Sequence, residues 1–243
     1  MTKITAAIVG ALIGLILPMQ LAFAGGAGTL GPLSELTAEW WQWAASIPDV
    51  PDAPNPTSDM TGASCMVGQR DSIRFLAGLG AFGQGGTAVR ACSVPEGTTI
   101  FFPVINSVFF NTPDCGQGGQ SFTVKELRQM VKSFIDDATN LSVKVVKADG
   151  TKIRGTLLKR IQSEPFAAAF PQENFFGPNA CATGQPLPAG IYSPSVDDGY
   201  YASIPPLKPG SYTLNFHAES HNNMGPVIQD ITYNLTVVPV SLK

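Results

Sequence analysis

The sequence predicts a mainly β protein: an antiparallel β-sandwich, immunoglobulin-like or jelly-roll-like, with two peripheral α-helices. Three observations carry that prediction. Short runs of alternating apolar and polar residues recur along the chain, punctuated by Gly, Pro and Asp-Gly turn signals. Only two stretches show the three-and-four spacing of a helix. Four cysteines, an even number, occur in a chain that opens like an exported protein. A β-barrel is the alternative architecture, because alternation alone does not separate the two.

The export reading comes from residues 1–24. Lys3 is a minimal basic start, Ile4 to Leu17 is apolar, and Ala22-Phe23-Ala24 is a small-x-small cleavage site. This predicts a signal peptide, a secreted or periplasmic location, and no membrane contact once the peptide is removed. About 219 residues would remain, enough for one β domain at 59–243 with an N-terminal arm at 25–58. Charged residues make up 14% of the chain and the net charge is −3. With no basic run or stripe, nucleic acid is excluded as an expected partner.

Within the arm, Leu33, Leu36, Trp40, Trp43 and Ile47 mark one face of a helix that Pro48 must end. Ser34 is the expected N-cap. Trp40 and Trp43 are expected in the core. Trp41, about 100° round the helix, is expected to be an exposed ring. The proline-rich stretch Asp49 to Ser58 reads as an ordered, irregular arm.

The block from Asp59 to Asn106 then reads as short strands: Ser72–Ala77 and Ala88–Val94, bracketed by Cys65 and Cys92, followed by Thr98–Ile105. Its motifs are TG-x2-C, FLAG, R-x-C-x-VP and FFP-x-IN. With the tryptophan-rich segment before it and PG-x-Y-T-L near the C-terminus, the block resembles a family of secreted bacterial proteins of similar length. The resemblance spans most of the exported chain and implies a compact, mostly β fold; it carries no activity. Arg90 is expected to be buried and paired, for example with Asp59.

Three cysteine pairings are possible, and Cys65–Cys92 with Cys115–Cys181 is the preferred one. The first would join neighbouring strands, the second two Gly/Pro loops. Loop closure alone would make them worth about 3.6 and 4.4 kcal/mol at most.

Thr123-Val124-Lys125-Glu126 is a capping box, with Phe122 and Leu127 as its hydrophobic staple. The helix it starts is expected to reach Thr139. Beyond it, Leu141 to Gln162 reads as a hairpin turning at Asp149-Gly150. Strands are then expected around Phe166, from Tyr192 to Ile204, from Ser211 to His217 and from Val227 to Val238. In Leu207-Lys-Pro-Gly-Ser-Tyr212, the tyrosine resembles a tyrosine corner bonding back to the preceding turn.

Chemistry is sparse. His217, Glu219 and His221 alternate, so on an extended strand they would share a face and could hold a divalent transition metal. Asp197-Asp198-Gly199 reads as a turn rather than an acid/base pair. There is no G-x-S-x-G, H-E-x-x-H or P-loop pattern. The expectation is a non-enzymatic binding or interaction protein needing no cofactor. Carbohydrate or an envelope protein is the expected partner, met through Trp41, Tyr200 and Tyr201. A metal-dependent enzyme built on His217, Glu219 and His221, and a structural envelope or matrix protein, are the alternatives.

Overall fold

A computed structural model of the chain describes residues 32–69, 72–80, 85–222 and 225–240. The expected signal peptide lies outside these residues. Nine strands and two helices are found among them. In chain order they are α1 (Leu33–Ser46), β1 (Ile73–Phe75), β2 (Gly86–Pro95), β3 (Thr99–Phe110), α2 (Val124–Asp136), β4 (Thr139–Lys147), β5 (Leu157–Gln162), β6 (Phe166–Phe170), β7 (Gly190–Ile204), β8 (Gly210–Asn222) and β9 (Gly225–Val238).

The first sheet has the order β1-β3-β7-β5, with β6 also pairing β7; the second has the order β2-β9-β8-β4. Neither sheet is a closed barrel. Both are mixed, which corrects the antiparallel expectation: β1 runs parallel to β3, and β2 parallel to β9 over ten residue pairs. The reason lies in where the chain goes after β1. Instead of folding back as a hairpin, it crosses to the second sheet, so β1 and β2 are not neighbours. The Cys65–Cys92 disulfide therefore fastens the segment before β1 to a strand of the other sheet. Cys115–Cys181 is also formed, and no described cysteine is free.

The Leu141–Gln162 hairpin is likewise corrected. Asp149-Gly150 does turn the chain, and Ile153 N–H donates to the Val145 carbonyl. After that stub the chain leaves: β4 pairs β8 in the second sheet, whereas β5 pairs β7 in the first. Cross-sheet burial outweighs the local turn, because a two-stranded hairpin is marginal without a partner surface.

The inner faces of the sheets bury Ile100, Phe102, Val104, Ala202 and Ile204 against Leu214, Phe216, Ile231, Tyr233 and Leu235. Tyr212 closes its corner by donating to the Lys208 carbonyl at 2.8 Å. A second aromatic core covers the outer face of the first sheet, where α1 brings Trp40, Trp41 and Trp43 onto Phe75, Phe101, Phe110 and Tyr201. Helix α1 begins on the Pro32 carbonyl, which accepts from the Glu35 and Leu36 N–H groups, so Ser34 already lies inside the first turn and is not the cap. At its other end the buried Asn55 amide donates to the Ala44 and Ile47 carbonyls, which pins the proline-rich arm beneath the helix.

Helix α2 has its full capping box: Thr123 accepts from Glu126 N–H, and Glu126 accepts from Thr123 N–H. It stops at Asp136, short of the expected Thr139, where β4 begins. It is not peripheral. Leu127 and Val131 bury against Val196 of β7, while Ile135 joins the inter-sheet core. Helix α2 therefore continues the second sheet's layer past that sheet's end. Arg90 is buried as expected, but its partners are the Ala77 carbonyl and the Tyr233 hydroxyl and ring rather than Asp59. Asp59 is occupied by Thr61 and Ser64 in its own turn.

Candidate functional site

Strand β3 is twelve residues long, yet β1 covers only Thr99 to Phe101 on its outer edge. Beyond that point the edge faces a half-open cavity of about 380 Å3. Six consecutive residues, Ile105 to Phe110, line it. A cavity touches consecutive strand residues, whose side chains alternate between faces, when it runs along the strand's edge. Met130 and Phe134 of α2 form one wall, and Phe175 and Phe176 of the long loop before β7 form another. Trp41 reaches the cavity from α1, and Cys115 brings the second disulfide to it. A smaller space of about 60 Å3 continues along Pro103 to Asn106. Both volume and lining suit a binding site: mainly apolar and aromatic, with Asn106, Ser107, Thr112, Gln117 and Ser220 as the polar minority.

A buried polar chain supports this cavity. Asn106 Nδ2 donates to the Tyr201 hydroxyl at 2.9 Å, and that hydroxyl donates to Asp197 Oδ1 at 2.9 Å. Trp41 Nε1 donates to the same oxygen at 2.6 Å. Two lining residues, Asn106 and Trp41, are thus fixed in orientation by one carboxyl group. Burial holds Asp197 well above the usual carboxylate range, against the opposing pull of Trp41 and Tyr201. Burial also raises the Tyr201 hydroxyl, with the Asp197 carboxyl adding to the shift.

Asp198 points the other way, as adjacent strand residues must. It accepts from Arg160 Nε and Nη2 at 2.9 and 2.8 Å and from Gln162 at 3.0 Å. Arg160 also reaches Asp136 of α2 at 2.8 Å, so one guanidinium joins β5, β7 and α2. These two carboxylates hold the guanidinium more firmly protonated than usual, Asp198 foremost.

The turn expected at Asp197-Asp198-Gly199 is instead continuous strand. Gly199 is there for contact rather than for turning: a Cβ on it would lie 2.5 Å from the Asn106 Cβ. No side chain fits where β7 passes Asn106 of β3, just after the irregularity between Pro103 and Ile105.

Of the aromatic residues expected at the surface, Trp41 is only 7% exposed and Tyr201 is fully buried. Both are corrected to interior positions. Trp41 is held in by the Asp197 bond and an edge contact with Phe110, and Tyr201 stacks on Phe101. Tyr200 is half-buried against the inter-sheet core. Only Trp41 of the three reaches the cavity.

His217, Glu219 and His221 do share one face, because β8 runs straight through them to Asn222. His217 Nε2 lies 3.0 Å from Glu219 Oε1, and Asn140 donates to the other carboxylate oxygen. The Glu219 carboxyl is lowered by these bonds, that of His217 foremost. Among the described residues, no group of three His, Cys, Asp or Glu side chains is spaced to hold a metal ion.

The cavity residues Val108, Phe110, Met130, Phe134 and Phe176 were not legible as a site. One signal was present: Val108-Phe109-Phe110 prolongs the strand with apolar residues on both faces, which calls for cover on both sides. No family model, curated protein or solved structure matches this chain.

Proposed function

We propose that this protein is an exported, non-enzymatic binding protein whose working part is the apolar cavity along β3. One observation carries the reading: a half-open space of about 380 Å3, walled by Trp41, Met130, Phe134 and Phe176 and braced from beneath by a buried hydrogen-bonded chain. Bracing of this kind keeps a site preformed, which lowers the ordering cost of binding. Two disulfides fit an extracellular or periplasmic setting. Among the described residues, no helix is long and apolar enough to cross a membrane.

The lining favours an apolar or aromatic ligand over a sugar. A carbohydrate site needs rings facing solvent together with many polar partners, and Trp41 and Tyr201 do not face solvent. An envelope protein remains the fitting class of partner.

The test uses the fluorescent probe 1-anilinonaphthalene-8-sulfonate. It should bind saturably at one site per chain and take energy from the tryptophans, all three of which lie on α1. Met130→Asp, on the half-buried wall, should abolish binding while leaving the thermal transition cooperative. Absence of saturable binding, or binding indifferent to Met130→Asp, would refute the reading.

A further inference from the structure

We infer that the ligand of this cavity is an extended polypeptide segment, added as a strand to the open edge of β3 between Asn106 and Phe110. The inference rests on the cavity being the binding site proposed above, and it names the ligand class.

The direction of the backbone decides it. Asp197 N–H donates to Ser163 Oγ at 2.9 Å, and the Asp197 carbonyl accepts from Ser163 N–H at 3.0 Å. Both groups therefore point away from β3, towards the β5 side of β7. Val108 lies opposite Asp197 in the β3–β7 register. In such a pair neither residue bonds across, so the Val108 N–H and C=O point outward as well. Asn106, opposite Gly199, and Phe110, opposite Ser195, share that parity. Three residues thus turn six backbone groups towards the cavity. Among the described residues no protein group bonds to any of the six.

Among the described residues the edge is left open because residues 77–79, which follow β1, are held elsewhere. After Phe75 the backbone is bound by side chains of the second sheet. The Ala77 carbonyl accepts from Arg90 at 2.6 Å and from the Tyr233 hydroxyl at 2.9 Å. Leu79 N–H donates to Gln229 Oε1 at 3.1 Å, and its carbonyl accepts from Gln229 Nε2. These contacts draw residues 77–79 off β3, and pairing with β3 ends at Phe101.

An apolar small molecule filling the space would strip water from six backbone groups and pair none of them, at about 1–3 kcal/mol each. A strand pairs them all, and this is how peptides add to sheet edges. Walls stand on both sides of the edge, α2 on one and the Phe175–Phe176 loop on the other. The incoming segment must therefore be apolar on both faces, like a central strand, with about five residues engaged.

The probe is a library of acetylated, amidated heptapeptides whose five central positions are drawn from Val, Ile, Leu, Phe and Thr. The tightest binder is then resynthesised with one N-methyl group at each position in turn. Loss of an edge hydrogen bond should weaken binding about tenfold at every second residue, with little change at the residues between. Met130→Asp should abolish peptide binding while leaving the thermal transition intact. If the naphthalene probe binds but no library peptide does, the strand inference falls and the cavity reading stands. If peptides bind without a two-residue N-methyl pattern, the inference also falls. If neither probe nor peptide binds, both readings fall together.

Discussion

Asp197 and Asp198 are neighbours on β7 and both are fully buried, yet they meet opposite surroundings. On the α1 side Asp197 meets only neutral donors, Trp41 and Tyr201, and its Oδ2 has no protein partner. On the α2 side Asp198 is clasped by Arg160 and Gln162. The strand places two like groups back to back, and what is packed on each face decides their chemistry. The Asp198 side is an ionic joint that ties the first sheet to α2. The Asp197 side is a polar brace inside an aromatic core, and it orients the cavity's floor.

The harshest way to break this contrast is Arg160→Met, which leaves the Asp198 carboxylate buried with Gln162 alone. Removing one member of such a pair costs about 3–5 kcal/mol, to be read from urea unfolding midpoints. A loss below 1 kcal/mol would mean that Asp198 finds another partner or takes up a proton.

On the other face, Trp41→Phe keeps an aromatic ring but removes the donor to Asp197. A loss of about 1–3 kcal/mol is expected, together with weaker probe binding. Unchanged stability would show that the 2.6 Å contact is not a working bond.

Asp197→Asn should act in the opposite sense. The folded state holds this carboxyl above its ordinary value near 3.8. Below that value both states are protonated and pH has no effect through this group. As pH rises past it, the unfolded chain ionises first, so stability falls until the folded group also ionises. The asparagine keeps the Oδ1 acceptor and does not titrate, so the stability difference should move in the variant's favour as pH rises past that value. A wild type and variant that respond identically to pH would place the ionised form in the fold.

Thr123→Ala is the mildest probe, acting on the helix behind the Asp198 joint. Loss of the capping bond should cost about 1 kcal/mol with no change in the Asp197 pH response. Coupling between Thr123→Ala and Asp197→Asn in a double-mutant cycle would show that the two faces are not independent.

Much of the architecture was readable from local rules. The Thr123 capping box, the tryptophan helix ending before Pro48, the Tyr212 corner and the long β8–β9 pairing each depend on a few adjacent residues whose side-chain chemistry or periodicity forces one backbone geometry. None of these four required knowing which surfaces would meet. The cysteine partners were as expected, but Cys65–Cys92 ties the segment before β1 to the other sheet instead of joining neighbouring strands.

Tertiary packing decided the rest. Which sheet received β2 and β5 depended on burial between the two sheets, so two expected neighbour pairs became cross-sheet connections. Trp41 and Tyr201 carry polar atoms that suit either water or a buried acceptor. Only the arrival of Asp197, 156 residues from Trp41, turned them inward. The open edge of β3 is likewise invisible in Ile105 to Phe110. Among the described residues it is left open where Arg90, Tyr233 and Gln229, from two strands of the second sheet, hold residues 77–79 away from it. Local chemistry selects strands and helices; long-range competition for backbone partners selects which edge stays free.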